Sequence, residues 1–274
     1  MTADAGSITV SVTVGDAEVW CTLSGDDREG THPVVLLPGI GGTTESEFPF
    51  LLPLLARNGQ VLAIDLQYSL VTLASTLEEL VGQLAAALRQ LLPGRRVTLV
   101  GFSVGATVAA AFVAAHPEVA SLVLVTPVLR ASNRHRMLVG LRSRLVGTDP
   151  EAVRSLDDFA ALSASFLQAN PPGPVGTDAG IAAKHDMFVT IDLTESVVKI
   201  TVPTLVIGAT HDDLAGIDQA RMLFASLSNA RYVEIDSGHA VPAERPAEVL
   251  ALIREFAAHP LRHRPGSVLQ GARP

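Results

Sequence analysis

The chain has 274 residues, of which 48% are hydrophobic and 18% charged, and its formal net charge is −8. That apolar share excludes a chain disordered throughout. The acidic balance, with aromatics at 4%, excludes a nucleic-acid surface, which needs clustered cations and rings for base stacking. Cys21 is the single cysteine, so no intrachain disulfide and no cysteine-based zinc site is available.

The opening residues carry neither a basic n-region nor an apolar h-region. The longest apolar stretch, residues 104–115, falls well short of the roughly 20 residues of a membrane-spanning helix. The expected location is the cytoplasm, and the excess of arginine over lysine points to a GC-rich bacterial genome.

Residues 7–14 alternate polar and apolar side chains, the period of a half-buried strand. Gly15-Asp16 is a turn signal, and residues 17–23 read as the hairpin partner. Residues 33–37 are continuously apolar, as in a strand buried on both faces of a parallel sheet, and they stop at Pro38-Gly39-Ile40-Gly41-Gly42. Residues 48–57 read as a helix containing Pro49 and Pro53, and 61–64 as a strand ending at Asp65. The next helix has Thr76 and Glu79 at capping-box spacing, an apolar stripe from Leu77 to Leu91, and a stop at Pro93-Gly94. Strands at 97–100, 121–125, 204–207 and 232–235 then alternate with helices at 104–115 and 246–257. This alternation predicts an α/β fold with a mostly parallel central sheet and helices on both faces.

Residues 129–198 break the rhythm: no strand-length apolar run occurs, and Asn170-Pro171-Pro172-Gly173-Pro174 stops any helix. The expected organisation is a core over 1–128, an inserted helical cap over 129–198, the second part of the core over 199–259, and a frayed tail over 260–274.

Gly101-Phe102-Ser103-Val104-Gly105 joins a predicted strand directly to a predicted helix. A turn this sharp leaves no room for side chains at the two glycines, and it lifts the serine hydroxyl to the helix N-terminus, where a developing anion is favoured. The plain alternative is an ordinary turn with a helix-capping serine. A nucleophilic serine needs a base and a carboxylate to orient that base. His239 follows the final predicted strand in Asp236-Ser237-Gly238-His239, whereas His116 ends a helix, His32 precedes a buried strand, His135 and His185 lie in the cap, and His259 and His263 lie at or in the tail. His211 adjoins two acids, Asp212 and Asp213, in the loop after the penultimate strand. Asp212 is the choice for the orienting acid and Asp213 the alternate. The strand ending at Val125 is followed by Thr126-Pro127-Val128, with no acid. Ser103, Asp212 and His239 all fall at carboxyl ends of strands, where open α/β sheets place their ligands.

The elbow around Ser103, the acid after Gly208, and the stretch from Ser237 through Glu244-Arg245-Pro246 resemble the α/β-hydrolase superfamily, as does His116-Pro117-Glu118. The likeness runs from Val34 to about Phe256, with 129–198 in the place of the cap. It implies an α/β-hydrolase fold, an oxyanion hole from the backbone N–H groups of Ile40 and Val104, and a substrate site beside Gly39 and Phe102. It also implies a serine esterase or thioesterase-like enzyme that cleaves a small acyl substrate and needs no metal or organic cofactor. The serine nucleophile sets the chain apart from carboxylate-nucleophile relatives such as haloalkane dehalogenases. Two departures stand out: Pro38-Gly39 replaces the usual His-Gly, and Leu66-Gln67-Tyr68 follows Asp65 in place of an Arg-Gly pair.

The same fold also supports lyase, isomerase and carbon–carbon cleaving enzymes, and binding proteins with little turnover. Arg130, Arg134, Arg136, Arg142 and Arg144, with His135, cluster early in the cap. They read either as a solvated helix face or as a patch for an acidic substrate or an acidic carrier domain.

Overall fold

The computed structural model describes residues 6–68, 76–170 and 189–270. The chain opens with the hairpin β1 (Ile8–Val14) and β2 (Ala17–Ser24), then β3 (Val34–Leu37), α1 (Thr44–Glu47), α2 (Leu51–Ala56) and β4 (Val61–Asp65). Helix α3 (Leu77–Leu91), β5 (Thr98–Phe102), α4 (Val104–Ala115) and β6 (Ser121–Val125) complete the first part of the core. Between β6 and β7 lie α5 (Asn133–Leu145), α6 (Pro150–Ala161), α7 (Ala164–Ala169) and α8 (Thr194–Val197). The chain then forms β7 (Thr204–Ala209), α9 (Ile217–Ser226), β8 (Ala230–Ile235), α10 (Val241–Glu244), α11 (Pro246–Ala258) and β9 (Val268–Leu269).

One sheet holds all these strands in the order β1-β2-β4-β3-β5-β6-β7-β8-β9. The β1–β2 and β2–β4 pairs are antiparallel and the remaining pairs are parallel. The continuous apolar runs follow from burial on both faces. In β4, Leu62 and Ile64 join a core with Leu80 and Leu84 of α3 and Val108 of α4. Val61 and Ala63 of the same strand join a second core with Leu51 of α2 and Val249 and Ile253 of α11. Helix α3 starts as its sequence predicts: Thr76 accepts from the Glu79 N–H, and the Glu79 carboxylate accepts from the Thr76 N–H. Among the described residues no helix is long and apolar enough to cross a membrane.

Two expectations need adjusting. The helix read over 48–57 begins only at Leu51, because a separate four-residue helix, capped by Thr43, occupies 44–47. The frayed tail is docked as far as residue 270. Gly266 N–H donates to Ala230 O, Tyr232 N–H donates to Ser267 O, and Val268–Leu269 pairs with β8. What holds it is Arg231, almost fully buried, whose guanidinium donates to the carbonyl of His263 at 2.7 Å. A buried arginine anchoring a backbone carbonyl leaves no periodic trace in the sequence. Residues 171–188 of the expected cap, with His185, and 271–274 of the tail lie outside the described residues.

Candidate active site

Strand β5 runs directly into α4 through Ser103, which sits at φ 52° and ψ −118°, a conformation L-residues rarely adopt. The flanking glycines are required sterically. A Cβ on Gly101 would collide with the Gly105 backbone, and one on Gly105 would collide with the carbonyls of Leu37 and Pro38. The Ser103 N–H donates to Val125 O at 2.9 Å, which fixes the turn against β6.

His239 and Asp212 come to this serine from two other strand ends. Ser103 Oγ lies 2.8 Å from His239 Nε2, and His239 Nδ1 lies 2.9 Å from Asp212 Oδ2. With the ring proton on Nδ1, the imidazole donates to the carboxylate and leaves Nε2 to accept the serine hydroxyl proton. All three side chains are buried. Burial alone would raise the Asp212 pKa. The charge of His239, its hydrogen bond and the N–H groups of Ala215 and Gly216 outweigh that and hold it below the usual carboxylate value. Asp212 Oδ1 also takes the N–H groups of Leu214 and Ala215 at 3.1 and 2.8 Å. Asp213 points away, to Arg134 of α5 at 2.6 Å. His211 pairs with Asp236 at the surface, 2.9 Å away.

The loop after β3 is shaped from both sides of Gly39. Its N–H donates to Glu47 Oε2 at 2.8 Å, and its carbonyl accepts the Gly42 N–H at 3.2 Å. In a trans peptide the next N–H points opposite to that carbonyl, so Ile40 N–H faces away from Gly42. Among the described residues neither Ile40 N–H nor Val104 N–H, at the start of α4, donates to a protein acceptor.

A cleft of about 490 Å³ opens over these groups and is lined by Gly39, Ile40, Phe102, Ser103 and His239 together with Asp157 and Ala161 of α6. The structure places Ser103, His239 and Asp212 in one hydrogen-bonded row, with Gly39, Ile40 and Phe102 lining the same cleft and Val104 buried at the start of α4.

Three residues were not anticipated. Thr126, at φ 45°, donates its hydroxyl to the His239 carbonyl at 3.3 Å. Glu244 accepts from Ser163 N–H and Oγ–H at 2.7 and 2.6 Å and from Gly238 N–H at 3.2 Å, and Ala240 N–H donates to Ala161 O. The histidine loop is therefore tied to the junction of α6 and α7, and Gly238 is needed because a Cβ there would meet Ser163 N at 2.5 Å. The third, Glu47, lies between the Gly39 loop and the cleft. Only Glu244 had a visible signal, its place in the motif after His239.

The arginine cluster is not one surface. Arg142 is buried and pairs with Asp157 through Nε and Nη2 at 2.9 and 3.0 Å, and Arg134 is spent on Asp213. Helix α5 turns inward with one arginine and outward with others, because His135 and Arg142 share its buried face. Among the described residues no group of three or more His, Cys, Asp or Glu side chains could hold a metal ion.

Comparison with known proteins places this geometry. Residues 34–252 match the alpha/beta hydrolase family. The chain belongs to the alpha/beta hydrolase family. This α/β-hydrolase is 28% identical over 260 residues to the pyrrolizixenacetamide deacetylase of Xenorhabdus hominickii, covering 89% of this chain and 96% of that protein. Its fold superposes on the enol-lactonase from Burkholderia xenovorans LB400 with a TM-score of 0.79 at 24% identity, over 91% of this chain and 100% of that one. It also superposes on a thermophilic esterase from Thermogutta terrifontis with a TM-score of 0.77 at 21% identity, over 93% and 99%. The two structures speak to fold alone. The chain is an enzyme of the α/β-hydrolase fold.

Proposed function

We propose that this hydrolase cleaves an ester, thioester or lactone of a small, largely apolar substrate through an acyl-enzyme on Ser103. The observation that carries the reading is the unbroken hydrogen-bonded chain from Ser103 through His239 to Asp212, starting at a serine held in a strained turn. A capping serine would need neither the strain nor a buried imidazole aimed at its hydroxyl.

In the proposed cycle Ser103 Oγ attacks the acyl carbon while its proton passes to His239 Nε2. Asp212 stabilises the resulting imidazolium and keeps Nδ1 protonated. The negative charge formed on the carbonyl oxygen is met by the N–H groups of Ile40 and Val104, reinforced by the N-terminus of α4. Collapse of this intermediate breaks the bond to the leaving group, which takes the proton from Nε2. Water then gives a proton to His239 and attacks the acyl carbon; the bond from that carbon to Ser103 Oγ breaks, Oγ takes the proton back from His239, and the carboxylic acid leaves. Gly39 and Phe102 line the substrate side of the cleft, whose wall is mainly apolar and includes the rings of Phe50 and Phe102. The 28%-identical relative is by name a deacetylase, which belongs to the same class of acyl hydrolysis.

The test is chemical. A phosphonylating reagent is expected to add one phosphonyl group per chain, located at Ser103 by peptide mapping, and to abolish turnover of a simple acyl ester in proportion. Labelling elsewhere with activity lost, or full labelling at Ser103 with activity kept, would contradict the proposal.

A further inference from the structure

Two carboxyl groups line the cleft, Glu47 from α1 and Asp157 from α6, and among the described residues no lysine or arginine does. Asp157 is held by Arg142 on both of its oxygens. Glu47 is different. Its Oε2 accepts the Gly39 N–H, which leaves Oε1 for a ligand. A methyl group placed on Gly39 would touch Glu47 Oε1 at 3.1 Å and Ser103 Cβ at 3.3 Å, so the carboxyl and the nucleophile flank the same residue. A substituent a few bonds from a carbonyl seated at Ser103 therefore comes within reach of this carboxyl. The surroundings are mainly apolar, where a charge-assisted hydrogen bond is strong and an unmatched charge is costly.

We infer that Glu47 makes the cleft selective for acyl substrates bearing a hydroxyl or, best, an ammonium group, and turns away those bearing a carboxylate. The inference rests on the acyl-hydrolase reading and names a substrate class for it. It also removes the cleft itself as a site for the acidic substrates that the arginine-rich cap had suggested.

The charge of Glu47 changes near neutrality. Burial pushes its pKa up to about 7, against the hydrogen bond from Gly39 and the attraction of His239, while Asp65 adds to the rise. Tyr68 faces it as well, and Asp65 is itself engaged by Thr44. Selectivity for an ammonium group should therefore strengthen as pH rises through 7 and the carboxyl ionises.

The experiment uses three methyl esters of one chain length, whose acyl chains end in a methyl, an ammonium or a carboxylate group. At pH 8 the wild-type kcat/KM is expected to fall in the order ammonium, methyl, carboxylate, with roughly tenfold or more between the ends. Glu47→Gln, which keeps an acceptor for Gly39 N–H, should compress that spread to about threefold or less. In wild-type protein the ammonium-to-methyl ratio should shrink at pH 6, because any effect of pH common to both esters cancels in the ratio. The same order should appear as affinities in Ser103→Ala, measured by calorimetry. Turnover absent from every ester, with that order of affinities kept, strikes the hydrolase reading and supports the selectivity. A flat order of affinities, or a spread unchanged in Glu47→Gln, overturns the inference whatever the turnover.

Discussion

Asp212 and Asp213 are neighbours in the chain and serve opposite sides of the same loop. Asp212 turns inward to His239 Nδ1 at 2.9 Å, and Asp213 turns outward to Arg134 of α5 at 2.6 Å. The first is buried and the second exposed. Two adjacent acids, indistinguishable by composition, are separated by the two N–H groups of Leu214 and Ala215 that grip Asp212 Oδ1 and fix its direction.

Asp212→Asn is therefore expected to lower kcat by about 10⁴ while the protein stays folded, because an amide no longer enforces the Nδ1–H tautomer. Asp213→Asn removes one exposed ion pair and should cost no more than about 1 kcal/mol of stability, with kcat close to wild type. Steady-state kinetics on the two variants decides it, and the reverse ranking would assign the carboxylate role to Asp213.

The inward arginine of α5 has a different consequence. Arg142 is 4% exposed and holds Asp157 on two oxygens. Arg142→Ala strands the half-buried carboxylate of Asp157 on α6 and should cost about 2–3 kcal/mol in urea denaturation. Arg136→Ala, on the exposed face of the same helix, should stay within about 0.5 kcal/mol. Equal effects from the two would mean that Arg142 behaves as a surface residue.

Glu47 also ties stability to pH. Its carboxyl rises from 4.5 to about 7 on folding, so between those values the folded protein keeps a proton that the unfolded chain has lost. The stabilisation from this group is complete below about pH 4.5 and disappears as pH climbs through 7, a change of up to roughly 3 kcal/mol. His135 works the other way over part of that range, because burial holds it down to about 4 and the unfolded chain takes up the proton first. Comparing wild type with Glu47→Gln cancels the histidine. The glutamine variant should gain Tm relative to wild type on going from pH 5 to pH 8. A gap that does not change with pH would place Glu47 in an ordinary solvated setting.

Much of this site was legible because its chemistry imposes local patterns. The elbow needs Gly101 and Gly105 where a Cβ would strike backbone, and the histidine loop needs Gly238 where the backbone between α6 and α7 closes on it. The parallel strands show as unbroken apolar runs because both faces are buried. What escaped the sequence is what depends on distant pairing. Thr126 reaches the carbonyl of His239 across 113 positions, Glu244 reaches Ser163 across 81, and Arg142 turned out to face inward. Glu47 belongs to no motif in the sequence, and only the folded loop sets it against Gly39. The docked tail was missed because its anchor is the side chain of Arg231 rather than any pattern of its own.

Turnover of an activated ester by Ser103→Ala tests the central claim most directly. The variant keeps the Ile40 and Val104 N–H groups, the His239–Asp212 pair and the cleft, and loses only the hydroxyl that would carry the acyl group. Activity is expected to fall by several orders of magnitude, with a small residue from the oxyanion hole and with substrate affinity preserved. A folded Ser103→Ala protein that retains most of the wild-type rate would contradict the account, since the chemistry would then run through His239 or Asp212 without an acyl-enzyme.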